Sequence, residues 1–82
     1  MWYVYILKSC KASDRFYVGF TNDIERRIKE HASPTKDNYT YRFSPWKLET
    51  YIVFENRTVA KNFEAYLKTS SGRTFLKRHF FL

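Results

Sequence analysis

The chain is poor in the residues that cross-link or punctuate a fold. Of its 82 residues one is cysteine, two are glycine and two are proline. A lone cysteine, Cys10, rules out an intrachain disulfide, and no cysteine pair has metal-site spacing, so a reducing cytoplasm is the expected home. Cys10 itself reads most simply as a loop thiol. No apolar run approaches the roughly 18–20 residues of a membrane span, and the pattern of a secretory signal is missing. The expectation is a soluble, unprocessed protein. Acid is scarce as well: eight Asp plus Glu face fifteen Lys plus Arg, a formal charge of +7. That balance favours an anionic partner, nucleic acid first and an acidic protein or membrane surface after it.

Aromatics are plentiful. Eight Phe, seven Tyr and two Trp supply the core of a chain that, at this size, buries only about 60–65% of its unfolded surface. The length suits one domain over residues 1–82. Trp2 to Leu7 alternates, with Trp2, Val4 and Ile6 on one face and Tyr3, Tyr5 and Leu7 on the other. Lys8 to Asp14 is polar, and Arg15 to Thr21 resumes the strand pattern, so a hairpin is expected in which Tyr17 and Gly19 share a face. With its loop centred near Lys11, Tyr5 falls opposite Tyr17.

Asn22 followed by Glu25 has the form of a helix cap and its reciprocal partner, and a helix should run to about Ala32. Ile24, Ile28 and Ala32 form its apolar stripe, flanked by Arg27 and His31 four residues apart. Residues 33–45, with two prolines, read as a loop. Trp46 to Phe54 alternates again, Leu48, Thr50, Ile52 and Phe54 facing one way. A second helix is expected from Asn56 or Thr58 to about Thr69, burying Val59, Ala60, Phe63, Tyr66 and Leu67, with Glu64 at the border of that face. Ser70-Ser71-Gly72 breaks it, and Arg73 to Phe80 forms a short third helix. The order ββαβα(α) describes an α+β fold, a small three-stranded antiparallel sheet flanked by helices.

A tyrosine pair on a hairpin, then Arg27 and His31 on the next helix, then Glu64 on the helix after the third strand form a constellation. In that order and spacing the chain resembles the GIY-YIG nuclease superfamily, in particular small stand-alone members related to the N-terminal nuclease domain of the bacterial excision-repair C subunit. Tyr3-Val4-Tyr5 stands where the first signature triplet belongs and Tyr17-Val18-Gly19 where the second belongs. "FYVGFTNDIERRIKEH" carries Arg27 and His31, and "FENRTVAKNFEAYLK" carries Glu64. Two positions depart from the pattern: Tyr3 replaces the opening glycine, and Phe20 stands where the repair enzyme has a lysine.

The resemblance implies an endonuclease that hydrolyses DNA phosphodiester bonds, on branched, nicked or single-stranded DNA in repair or recombination. Tyr5 would be the general base, with Tyr17 orienting water or phosphate. Arg27 would hold a nonbridging oxygen with its planar, always charged fork, and His31 would position the tyrosines or relay a proton. Glu64 would bind one divalent cation, Mg²⁺ or Mn²⁺, at a weak, water-rich site. A base at neutral pH needs positive charge nearby, because a free phenol has a pKa of about 10.

Each residue also has a plainer reading. The tyrosines can be cross-strand aromatics, Arg27 a solvated partner of Asp23, His31 a boundary histidine, and Glu64 a partner of Lys61 or Lys68. With these readings the chain is a nucleic-acid-binding module without turnover. Zinc is rejected, since His31 and His79 lack a second pair of soft ligands. Lys36, Arg42, Lys47 and Lys68 are candidate nucleic-acid contacts, with Tyr39, Tyr41, Phe43 and Trp46 available to stack bases. Lys77 and Arg78 can add a second contact. DNA is the expected partner, with RNA also open because no residue visibly reads a 2′-hydroxyl, and a protein partner can supply targets.

Overall fold

The computed structural model describes residues 1–12, 14–32 and 45–80, with His31 and Ala32 described by their backbone alone. Three strands, β1 (Trp2–Ser9), β2 (Phe16–Thr21) and β3 (Trp46–Phe54), form one antiparallel sheet in the order β2-β1-β3. Among the described residues three helices accompany it: α1 (Ile24–Ala32), α2 (Arg57–Leu67) and α3 (Ser70–Phe80). This is the expected α+β arrangement.

The even-numbered face of β1 carries the core. Val4 and Ile6 of β1 and Val18 of β2 pack with Ala60 and Leu67 of α2 and Leu76 of α3, walled by Trp2, Phe16, Phe20, Phe54, Phe63, Phe75 and Phe80. Aromatics fill volume that a chain this short cannot fill with many aliphatic residues. The odd-numbered face carries Tyr3, Tyr5 and Leu7, and β2 adds Tyr17, Gly19 and Thr21 to it.

The hairpin register differs from the expected one by two residues: Tyr5 lies opposite Gly19, and Tyr17 opposite Leu7. The cause is in the loop. The Ser9 hydroxyl accepts from the amides of Lys11 (3.1 Å) and Ala12 (3.0 Å), and the Arg15 amide donates to the Ala12 carbonyl (3.0 Å). A serine-anchored turn of this kind centres the loop on Ala12 in place of Lys11. A shift of two preserves the faces, so the tyrosines still share one.

On β3 the alternation is interrupted. Ile6 pairs with Thr50 but Leu7 pairs with Leu48, leaving Glu49 as a bulge residue. Leu48 therefore joins the face of Tyr5 and not that of Ile52, contrary to expectation, because one extra residue exchanges the faces beyond it.

The helix boundaries also differ in detail. Asp23, not Asn22, caps α1, its carboxylate accepting from the Arg26 amide (3.1 Å) while the Thr21 hydroxyl accepts from the Asp23 amide (3.0 Å). Asn56 caps α2 through the Val59 amide. That helix ends at Leu67, two residues early, because the Thr69 hydroxyl donates to the Tyr66 carbonyl and accepts from the Gly72 amide, which starts α3 at once. Ser70-Ser71-Gly72 is thus the first turn of α3 and not a break. Val59 and Tyr66, expected inside, are 51% and 41% exposed, since α2 rests on the sheet through Ala60, Phe63 and Leu67.

Candidate active site

The odd-numbered face of the sheet brings together Tyr5, Tyr17 and Arg27. Tyr5 is fully buried, and its ring lies across Gly19 so closely that a Cβ there would overlap Cζ and the hydroxyl oxygen. Gly19 is therefore the seat of the Tyr5 ring, a role the cross-strand register reveals and the triplet alone does not. From α1, the Arg27 Nε donates to the Tyr5 hydroxyl (3.3 Å), and Nη1 donates to Glu30 (3.0 Å). Asp23, the partner the helix spacing also allows, serves as the cap instead. Glu30 is readable from the sequence as an i,i+3 neighbour of Arg27.

The Tyr17 ring stands 6.3 Å from that of Tyr5 and meets Trp46 edge-on at 6.4 Å. The diagonal placement on adjacent strands brings the two phenols side by side even though they are not cross-strand partners. His31 follows Arg27 by one turn of α1.

Glu64 approaches from α2, along the edge formed by β2. Its side chain is only 12% exposed and is held by Lys68 (3.1 Å) and Lys61 (3.5 Å). The Lys61 ammonium lies 4.9 Å from the centre of the Phe20 ring. Where the second triplet lacks a following lysine, α2 thus returns a cation to the same spot.

Burial pushes the Tyr5 phenol above its ordinary value, with the charges of Tyr17 and Glu64 adding to it. The hydrogen bond and charge of Arg27 pull the other way without prevailing. The hydrogen bond to Tyr5, together with Glu30, holds the Arg27 guanidinium protonated even more firmly than usual. The resting site thus holds a neutral phenol against a fixed cation, although Arg27 alone would have favoured phenolate.

Stability inherits this shift. The unfolded chain gives up its Tyr5 proton at about pH 10, before the folded chain does, so above that pH the folded state binds more protons and loses stability. The contribution is complete below about pH 10 and declines above it. Between about pH 8.5 and about pH 11 the urea midpoint should fall further for the native chain than for Tyr5→Phe. Equal declines would mean that Arg27 compensates the burial.

The remaining candidates are dispersed. Lys68 sits beside Glu64, whereas Lys47 lies opposite Lys8 on the other face of the sheet from the tyrosines. Lys36, Tyr39, Tyr41, Arg42 and Phe43 lie outside the described residues. No helix among the described residues is long and apolar enough to cross a membrane.

Comparison with known proteins places the chain among its relatives. The chain is 44% identical over 66 residues to a UPF0213 protein of Clostridium perfringens, covering 80% of this chain and 69% of that one. It is 39% identical over 71 residues to a UPF0213 protein of Halalkalibacterium halodurans, covering 87% and 73%. It is also 33% identical over 67 residues to the structure-specific endonuclease subunit SLX1 of Debaryomyces hansenii, covering 74% of this chain but 19% of that longer protein. Residues 1–78 match the GIY-YIG catalytic domain, and the chain belongs to that family.

Proposed function

We propose that the chain is a metal-dependent endonuclease that hydrolyses DNA phosphodiester bonds. The observation that carries this reading is the Arg27 guanidinium on the hydroxyl of a Tyr5 seated over Gly19, a cation and a phenol fixed together beside a second tyrosine. Similarity to a structure-specific endonuclease subunit supports branched or nicked DNA as the substrate and a protein partner as the source of targeting.

In this mechanism Arg27 binds a nonbridging oxygen of the scissile phosphate and offsets charge as it grows there. Tyr5 takes the proton of the attacking water, and Tyr17 orients that water against the phosphate. His31, one turn from Arg27, positions the tyrosine pair. With a phenol pKa above the usual value, little phenolate exists at neutral pH, so cleavage should accelerate as pH rises toward about 10.

Glu64 is the residue that would hold a metal. Among the described residues no three His, Cys, Asp or Glu side chains gather into a cage. One sheltered carboxylate oxygen donor suits a hard divalent ion such as Mg²⁺, which keeps most of its waters and takes further oxygens from phosphate. Such an ion supplies Lewis-acid stabilisation of the phosphate and leaving oxygen. Its two oxygens already carry Lys61 and Lys68, so a bound ion would share Glu64 with these ammonium groups or displace them.

The test is cleavage of labelled duplex, flap, four-way junction and single-stranded DNA with Mg²⁺, Mn²⁺ or EDTA. Native protein should give metal-dependent products, and Glu64→Gln should slow them at least about 100-fold, within the several kcal/mol a metal supplies. DNA binding with no cleavage under any metal would establish instead a nucleic-acid-binding module, the reading that the complete burial of Tyr5 and the two lysines on Glu64 favour.

A further inference from the structure

Two recesses adjoin along the free edge of β2 and share Phe16 and Arg73. The first, of about 250 Å³, is lined by Phe16, Tyr17, Val18, Leu67, Lys68 and Arg73. The second, of about 270 Å³, is lined by Asp14, Arg15, Phe16, Arg73 and Lys77. They make one track that begins at Tyr17 and at the lysine holding Glu64, and ends at Lys77 on α3. Among the described residues four cations, Arg15, Lys68, Arg73 and Lys77, line it with one carboxylate, Asp14, and Lys68 is paired with Glu64 at its start.

The charges are placed at a cost. Arg73 and Lys77 are four apart on one face of α3, a helix without a single acidic residue. Like charges at this spacing destabilise a helix. Repulsion of this kind, concentrated in one groove that starts at the candidate catalytic tyrosines, is relieved by a polyanion laid along it. Phe16, half-buried in the shared wall, adds an aromatic surface of the sort on which bases of a single strand stack.

We propose that this groove binds a single strand of DNA leaving the scissile phosphate, with Lys68, Arg73 and Lys77 contacting successive phosphates. The position of the scissile phosphate rests on the nuclease reading, whereas the binding does not. Arg73 and Lys77 are four residues apart on α3, about 6 Å along the axis, and so can engage different phosphates of one strand.

The experiment is fluorescence anisotropy of a labelled 20-nucleotide single strand in EDTA, where no turnover occurs, at several salt concentrations. Arg73→Gln with Lys77→Gln should weaken binding on the order of 10-fold near 0.1 M salt and flatten the slope of log affinity against log salt by about 1.4, or about 0.7 per lost phosphate contact. Lys29→Gln with Arg57→Gln removes the same charge from exposed positions outside the groove and should change neither by more than about a third of those amounts. Equal losses in both double variants, or none in the first, overturn the proposal, and cleavage by the native protein would then leave the nuclease reading standing. Groove-dependent binding by a protein that cuts nothing would uphold the groove and end the nuclease reading.

Discussion

Replacing Tyr5 by phenylalanine should slow DNA cleavage by about 10²–10⁴-fold, the range over which a positioned general base contributes, while leaving the fold in place. The ring stays over Gly19 and keeps its packing, since only the hydroxyl oxygen is lost. That oxygen accepts a hydrogen bond from Arg27 at 3.3 Å, and Arg27 remains bonded to Glu30. Loss of that bond should cost about 0.5–1.5 kcal/mol of stability. Single-turnover cleavage and urea unfolding, measured on the same preparation, separate the two effects. The rate should also lose its rise with pH. A Tyr5→Phe variant that cuts at the native rate would show that Tyr5 is a wall of the site and that another group activates water.

Gly72→Ala should lower stability by about 1–3 kcal/mol, even though alanine is the better helix former by about 0.5–1 kcal/mol. A Cβ at this buried position would run into the Tyr66 carbonyl oxygen and the Leu67 Cα, which are backbone atoms and cannot rotate aside. The helices α2 and α3 would have to separate where Leu67 and Leu76 are both fully buried. For a chain of this size the loss corresponds to a fall in Tm of about 4–8 °C per kcal/mol. Thermal unfolding of the variant decides the matter: an unchanged or raised Tm would mean that Gly72 is an ordinary helix position and that the close approach of the two helices is not required. Glu64 lies on α2, so the same displacement should also weaken cleavage.

The elements were legible because their signals are local. Alternation at Trp2–Leu7 and Trp46–Phe54, the spacing of Ile24 and Ile28, and the Asn56 cap each report a period or a cap within a few residues. The errors fall where one local choice had to be made between near equals. Asn22 and Asp23 both suit a cap, and the Thr21 hydroxyl on the Asp23 amide selects the second. The hairpin centre turned on Ser9, whose hydroxyl holds two loop amides, and the strand faces of β3 turned on one bulge residue, Glu49. Gly72 looked like a breaker because glycine lowers helix propensity, but its value is the absence of a side chain between two helices.

For the candidate site the division is similar. The order of Tyr5, Tyr17, Arg27, His31 and Glu64 along the chain is a property of the sequence, and it sufficed to indicate the family and the chemistry those residue types allow. Net charge indicated an anionic partner in the same way. Only the tertiary structure decided that Tyr5 rests on Gly19, that Arg27 reaches its hydroxyl across 22 positions of sequence, and that burial outweighs that cation to keep the phenol protonated. It also decided that Lys61 stands over Phe20 and that Lys68, Arg73 and Lys77 line one groove. Period and capping depend on neighbours along the chain, and so are written in it. Burial, desolvation and the meeting of charges depend on which distant residues the fold brings within a few ångströms, and no spacing in the sequence records that.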